Sequence, residues 1–430
     1  MPAPTPRPRR ASRTTWHLRR HRVATALMCA ILRARRPRAP ARRDPPKVTI
    51  LLVHAWGMGG TIRTTLNVAG RLAEQHEVEV VSVWRTRDDP FFAFPPGVTV
   101  TAAEDRRPGA GGVAARLLRR VPGSLLFPGD RTSRRTTLWT DVQLMRVLWR
   151  VRSGVLIGTR PALNLLVAQA GPGPALVATE HAPPGRYNAL LKREIRRRYA
   201  ALDAVVVLGE GERAALERVT GGGTAVHVIP NAVPALSGER SRLEAPVVLA
   251  VGRLARIKGF DRLIRAFAVV VPAHPQWRLR ICGSGSERGA LKGMIAELGL
   301  EAHVHLAGRV PHIEQELEQA SIFVLSSRAE GLPLALLEAM SKGLAVVSFA
   351  CPTGPVAVIE HGVDGLLVPN GDEAALGRAI AGLIEDAPQR GRLGAAAIRK
   401  AETFGLDAVG ERWEALIARV TTGEDVPPFE

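Results

Sequence analysis

Glu330 and Glu338 stand eight residues apart in the stretch Ser326-Ser327-Arg328-Ala329-Glu330-Gly331-Leu332-Pro333-Leu334-Ala335-Leu336-Leu337-Glu338. The apolar run at 322–325 predicts a strand, Gly331 a sharp turn, and Pro333 the first position of a helix. In that arrangement the N–H groups of Gly331 and Leu332 face the space above the strand ends, a setting that favours anions. Glu338 falls inside the helix among Leu334, Leu337, Ala339 and Met340, where an ionised carboxylate needs hydrogen-bond donors. The two hydroxyls of a ribose would supply them. One glutamate on the loop and one in the helix could therefore hold the two ends of a sugar nucleotide. The plainer alternative is a helix-terminal carboxylate beside a surface salt bridge.

Two cations complete this set. The loop Gly252-Arg253-Leu254-Ala255-Arg256-Ile257-Lys258-Gly259 joins a predicted strand, 246–251, to a predicted helix, 261–271, so Arg253 and Lys258 project near a strand end and a helix N-terminus. Both could grip a diphosphate, although each alone could equally be solvated surface charge. Expelling a nucleoside diphosphate builds up negative charge, which either a divalent metal or fixed cations must offset. The chain contains no Asp-x-Asp. The cations are thus expected to take the place of a metal, and no cofactor is expected.

The elements that must carry these groups read as alternating strands and helices. In the first half, 47–53 is a continuous apolar, β-branched run of the kind buried in a parallel sheet. It leads into His54-Ala55-Trp56-Gly57-Met58-Gly59-Gly60, a helix over 62–74 and a strand over 78–84. This βαβ opening lacks a dinucleotide fingerprint, because Ile62 replaces the third glycine and no acid ends the second strand. Gly59 and Gly60 either let backbone N–H groups approach a substrate or form a simple tight turn.

Residues 85–132 read as loops around a weak strand at 98–101. A helix over 136–150 and strands over 154–158, 175–179 and 204–208 follow. The strand 175–179 ends in Glu180-His181-Ala182-Pro183-Pro184-Gly185. His181 is thereby placed at a carboxyl strand edge, where open α/β sheets bind ligands, as a catalytic or substrate-contacting group or else as an exposed polar residue or a cap. Residues 226–231 close the first half, and 232–245 reads as a polar hinge. A second series then runs through a strand at 278–282, a helix at 287–298 and a strand at 303–307. Helices are expected at 373–384, 389–403 and 406–420, ahead of a frayed tail, 421–430. The expected fold class is α/β with two doubly wound sheets. The expected division is a basic arm (1–46), a first domain (47–231), a linker (232–245), a second domain (246–405) and a returning helix with tail (406–430).

Composition sets the outer limits. A chain of 430 residues suggests two domains, and no run reaches the roughly 18 to 20 apolar residues of a spanning helix. Cys29, Cys282 and Cys351 offer neither a disulfide framework nor metal-ligand spacing, so a reducing cytoplasm is expected and Cys282 and Cys351 should simply pack. The net charge of +19 is concentrated in residues 1–47, which hold 14 Lys and Arg against one acid. With Trp16 as its only aromatic, that segment does not resemble a nucleic-acid binder, and an anionic membrane surface suits it better. Plain disorder and a translation start assigned too far upstream are the alternatives. The apolar run 23–32 is followed by Arg33-Ala34-Arg35-Arg36 rather than a small-residue cleavage site, which argues against a signal peptide.

Four stretches of the second half, VGRLARIKGFDRLIRAF, GSGSE, SSRAEGLPLALLEAMSKGLAVVS and CPTGPVAVIEHGVDGLLVPNGDEAAL, together resemble the retaining glycosyltransferases of family 4, over about residues 246–386. The resemblance implies a GT-B fold, two Rossmann-like doubly wound domains facing each other across a cleft. It implies that Arg253 and Lys258, on a loop opened by Gly252, hold the donor diphosphate, and that Glu330 binds the donor sugar. It further implies that Glu338 binds the ribose, that the base lies against the backbone near Arg309 and Val310, and that the turns at Gly283, Gly331 and Leu332 approach the nucleotide. His181 would lie beside the transferred sugar, and the loop at Gly59 and Gly60 would close over the diphosphate.

The implied reaction is metal-independent transfer of a hexosyl unit, with retention, from a UDP- or GDP-hexose to a hydroxyl acceptor on a glycan or lipid-linked glycan. CPTGP resembles the exopolysaccharide and envelope-glycan subgroup. Ala357 stands where that subgroup carries an acid, so a donor contact made by that side chain is lost. A nucleotide-sugar epimerase or phosphorylase on the same scaffold, or a non-catalytic binding protein, is the alternative reading.

Overall fold

A computed structural model describes residues 9–34, 45–233, 236–351 and 354–422. The basic stretch 35–44, the residues Pro352 and Thr353 of the CPTGP motif, and most of the expected frayed tail lie outside the described residues. The chain divides into two compact units. The first takes the chain up to Val207, then Glu212–Ile229 and everything from Gly410; the second takes Leu208–Gly211 and Pro230–Val409.

The first unit is built on a seven-stranded sheet, all parallel. Its strands are β1 (Val48–Leu52), β2 (Val78–Arg85), β3 (Val98–Asp105), β4 (Val155–Gly158), β5 (Ala175–Thr179), β6 (Ala204–Val207) and β7 (Val226–Val228). They lie in the order β3-β2-β1-β4-β5-β6-β7. Every residue of β1 is buried, as a strand covered by helices on both faces must be, and this is why it reads as an unbroken apolar run. Val48 pairs with Val78 on one side and Val155 on the other. The order reverses between β1 and β4, so the loops that follow these two strands open apart and leave a crevice at their carboxyl ends.

The second unit repeats the plan with six parallel strands: β8 (Val247–Val251), β9 (Arg278–Cys282), β10 (Val304–Gly308), β11 (Ile322–Leu325), β12 (Ala345–Phe349) and β13 (Leu366–Val368). Their order is β10-β9-β8-β11-β12-β13, with the reversal between β8 and β11, where Ile322 pairs with Val248. The loops after β8 and β11 carry Arg253, Lys258 and Glu330. The helix Leu406–Thr422 starts in the second unit and ends in the first.

Several expectations change. Residues 9–34 of the basic arm form one helix rather than a disordered segment, and its Met28 and Leu32 enter the core of the first unit. β3 is an eight-residue strand paired with β2 along its whole length, where the sequence suggested a weak one over 98–101. It is an edge strand with mostly half-buried residues, which is why its pattern is faint. Pro333 caps the helix Leu334–Ser341 instead of opening it.

The polar segment 236–245, read as part of a hinge, is strapped to the second unit. The Lys342 ammonium, 4% exposed in its side chain, donates to Ser237 O (2.6 Å), Glu239 O (2.8 Å) and Glu318 Oε1 (2.9 Å). Ser241 adds a backbone donation to Lys342 O (2.9 Å). Proline and charge made this segment look free, and only the folded chain supplies its partners.

Candidate functional site

The site begins where backbone meets backbone. A Cβ at Gly283 would stand 1.8 Å from Gly252 O, and one at Gly285 would stand 2.1 Å from Leu254 O. Glycine at these positions lets the turn after β9 run flush against the loop after β8, joined by Leu254 N–H donating to Ser284 O (3.0 Å). Gly259 has φ +66 and would place a Cβ 2.1 Å from Ser326 O, so the loop after β8 is also pressed against the end of β11. A Cβ on Gly354 would meet Gly331 O at 1.9 Å. Four close approaches thus lock the turns around the β8–β11 crevice.

Charge locks them further. Arg328 sends a two-pronged donation to Asp261, Nη1 to Oδ1 at 2.8 Å and Nη2 to Oδ2 at 2.7 Å, and also donates to Arg256 O (2.7 Å). Asp261 lies in the first turn of the helix Phe260–Ala268, so this fork ties the loop after β11 to the helix after β8. Hydrogen bonds from Arg328 hold the Asp261 carboxyl at about 2. Neither Asp261 nor Arg328 was picked out from the sequence; their spacing of 67 residues hides the pairing.

Within this frame Lys258 Nζ donates to Glu330 Oε1 at 2.6 Å, and Ser327 Oγ donates to the same oxygen at 2.5 Å. The two groups assigned to diphosphate and sugar are therefore already in contact, at the crevice where open sheets bind ligands. Arg253 is exposed on the same loop as Lys258. Arg309 is exposed and donates to Ser284 Oγ (3.0 Å), which sets it and Val310 above the turn at Gly283. Glu338 is 3% exposed on the helix Leu334–Ser341, one of few buried acids in the unit. Leu332 O accepts from Asn231 Nδ2 (3.0 Å), anchoring the bend that carries Gly331. Ala357 is exposed on the short helix Gly354–Val358. Among the described residues no three of His, Cys, Asp or Glu gather as metal ligands would. Cys282 and Cys351 are buried, and burial pushes their thiols up to about 12 and about 11, as packing groups.

In the first unit the crevice between β1 and β4 is less tied down. Gly59 precedes the helix Gly60–Leu72, and a Cβ at Gly60 would meet nothing within 4 Å. No close approach among the described residues requires a glycine there. His181 follows β5 and is densely surrounded, which pushes its imidazole down to about 4. The Thr179 hydroxyl gives its single hydrogen to Gly158 O (3.0 Å), so the 3.2 Å contact with His181 Nε2 has the ring N–H donating to that hydroxyl. This tautomer leaves His181 Nδ1 as an acceptor.

Beneath it sits Glu180, 1% exposed, which no local sequence pattern singles out. The hydroxyls of Tyr187 and Tyr199 both donate to it, and Asn164 Nδ2 donates to Oε1 at 3.0 Å. Burial raises the Glu180 carboxyl and these three donors oppose the rise. The chain has only two tyrosines and both serve this one carboxylate. That economy was the signal available in the sequence.

Comparison with known proteins agrees with this division of the chain. Residues 58–235 match the model of Glycosyltransferase Family 4, and residues 237–400 match that of Glycosyl transferases group 1. The chain carries two glycosyltransferase domains. Among relatives, these domains are similar to the exopolysaccharide phosphotransferase of Streptomyces coelicolor, 34% identical over 392 residues, which covers 89% of this chain and 41% of that protein. They are also similar to an alpha-1,4-N-acetyl-D-galactosaminyltransferase of Campylobacter jejuni that acts on a PP-undecaprenol-linked glycan, 26% identical over 84% of this chain and 96% of that one. The chain thus spans less than half of the first relative and nearly all of the second. The fold of the transferase domains matches HepE of Anabaena in complex with UDP, with TM-score 0.67 and 18% identity over 87% of this chain and 99% of that one. The architecture is GT-B.

Proposed function

We propose that the chain transfers a hexosyl unit from a nucleoside diphosphate sugar, a UDP- or GDP-hexose, to a hydroxyl of a glycan or lipid-linked glycan, with retention and without a metal, in the cytoplasm. The observation that carries this reading is the Lys258–Glu330 pair held at the β8–β11 crevice by glycine contacts and the Asp261–Arg328 fork. Before donor binds, each charge of the pair offsets the other. With donor bound, Lys258 and Arg253 face the diphosphate and Glu330 accepts from sugar hydroxyls. Glu338 accepts from the ribose.

In the transfer itself, the bond from the anomeric carbon to the diphosphate oxygen breaks and a bond from that carbon to the acceptor oxygen forms on the same face. The acceptor proton passes to the departing diphosphate. Lys258 and Arg253 stabilise the charge that grows on the leaving group. His181 is neutral at working pH and serves as a hydrogen-bond acceptor rather than as an acid. A UDP complex among the fold neighbours supports UDP as the nucleotide, and an alpha-glycosyl product in the Campylobacter relative supports retention, since UDP-hexoses carry an alpha linkage.

One observation favours a second reading: the Streptomyces relative is a phosphotransferase. Transfer of a sugar phosphate would release a nucleoside monophosphate. Incubating the protein with a panel of nucleotide sugars and glycan acceptors, with and without a chelator, distinguishes the two. Release of UDP or GDP with an alpha product that persists in chelator is expected. Release of UMP or GMP, an inverted product, or full loss of turnover in chelator restored by magnesium would each overturn part of the proposal.

A further inference from the structure

The helix Arg9–Ala34 lies outside both matched transferase regions and carries two distinct stripes, one buried and one exposed and apolar. His21, Thr25, Met28 and Leu32 recur at helical spacing and are 4% exposed or less. Leu32 and Met28 join the core of the first unit, and His21 Nδ1 lies 3.0 Å from Ser124 O, so this stripe fastens the helix to the unit. Trp16, Val23, Leu27 and Ile31 also recur at helical spacing, and they are 39–70% exposed. At 100° per residue the two stripes point roughly 135° apart. The buried stripe accounts for the folding of this helix; among the described residues no element covers the exposed one.

Charge identifies what covers it. The helix contains seven arginines and no acidic residue. Arg19 is exposed about 75° from the centre of the open stripe, Arg33 and Arg22 are exposed further round on the same side, and Arg20 lies within the stripe, 4.6 Å over the Trp16 ring. Arg20 also donates to Pro122 O (3.0 Å), which joins the stripe to a neighbouring segment where Leu117 and Val121 are exposed beside exposed Arg116 and Arg120. A second copy of this helix would bring only further arginines against these, and a lone aromatic gives nucleic-acid bases little to stack on. An anionic bilayer offers both things the face lacks, negative charge and an apolar layer a few ångströms below it. No helix among the described residues is long and apolar enough to cross a membrane, so this one would lie in the plane of the interface.

We propose that the Trp16–Val23–Leu27–Ile31 face is a membrane-docking surface for anionic lipid, with its opposite face clamping the first unit to the bilayer. The inference does not depend on the transfer reaction, because none of these residues belongs to either crevice.

Co-sedimentation of the full chain with phosphatidylglycerol vesicles, and separately with phosphatidylcholine vesicles, tests it. The protein is expected to pellet with the first and remain in solution with the second, with binding weakened by added salt. Changing Val23→Ser and Leu27→Ser together should lower partitioning about tenfold, with thermal unfolding unchanged because both side chains are exposed. Changing Arg19→Gln and Arg22→Gln together should lower it without touching the apolar face, by about tenfold. The proposal fails if the parent protein stays in solution with phosphatidylglycerol. It fails equally if the serine variant binds as the parent does, or if that variant changes the mass of the protein in solution, which would make the stripe a contact between copies.

Discussion

Each of the two sheets reverses its strand order once, between β1 and β4 in the first unit and between β8 and β11 in the second, yet the two crevices are furnished in opposite ways. The second is tied by backbone contacts that admit only glycine at 259, 283 and 285, by the Asp261–Arg328 fork, and by a cation resting on a carboxylate. The first has an imidazole kept neutral and a glycine at 60 with open space around it. A site that binds a nucleoside diphosphate must hold fixed charges that do not reorganise as the leaving group departs, so its frame is rigid. On the proposed reading the first crevice takes the acceptor, whose hydroxyls call for shape and hydrogen bonding more than for an array of fixed charge.

The sharpest way to break this comparison is Lys258→Ala. Turnover should fall about 10²- to 10³-fold, as loss of a cation at a developing anion does. Steady-state kinetics with a nucleotide sugar check it, and parent-like turnover would remove the pair from the mechanism. Glu338→Ala should act on binding instead, weakening affinity for the free nucleoside diphosphate about ten- to a hundredfold, as loss of hydrogen bonds to a charged group does. Calorimetric titration reads this directly, and unchanged affinity would contradict the ribose contact.

Thr179→Val should have a smaller effect, roughly threefold on kcat/KM, by removing the hydroxyl that selects the His181 tautomer. Rescue by Thr179→Ser, which keeps the hydroxyl, would separate orientation from packing. Because His181 titrates at about 4, the folded state takes up its proton less readily than an unfolded chain does at 6.5. Stability should therefore fall as pH drops from about 6.5 towards 4, and His181→Gln should flatten that part of a thermal-unfolding series.

Asp261→Asn carries the smallest expected effect at neutral pH, roughly twofold on turnover, as for a partly exposed ion pair. Its mark is at acid pH. The carboxyl is held at about 2, below its ordinary 3.8, so its contribution is present above about 3.8 and is lost as pH falls towards 2. Unfolding scans of parent and variant across that window should converge at the acid end; parallel curves would mean that the fork does not brace the crevice.

The core strands were legible because they are buried on both faces and therefore spell unbroken apolar runs, as in β1, β8 and β11. β3 was faint because an edge strand has no such burial, and β12 and β13 passed unmarked inside a stretch read as motif. Helix ends held where caps are local: the Asp372 side chain accepts from Ala375 N (2.8 Å), and the predicted start at 373 is the one found. Among site residues, Lys258 and Glu330 could be proposed together because each sits beside a glycine turn after an apolar run. Asp261 and Arg328, or Glu180 with its two tyrosines, could not be joined, since nothing local to any of them names its partner.

Alternation of apolar runs with turns determined two doubly wound sheets, and residue type at the strand ends determined which loops carry charge. Whether Lys258 meets Glu330, which tautomer His181 holds, and that the basic arm is a helix with one face buried and one open were decided only by folding. Local pattern fixes which surface a side chain leaves from, through backbone geometry a few residues long. A contact across 72 residues, like that between Lys258 and Glu330, depends on how strands order themselves in a sheet, and no short stretch of sequence encodes that order.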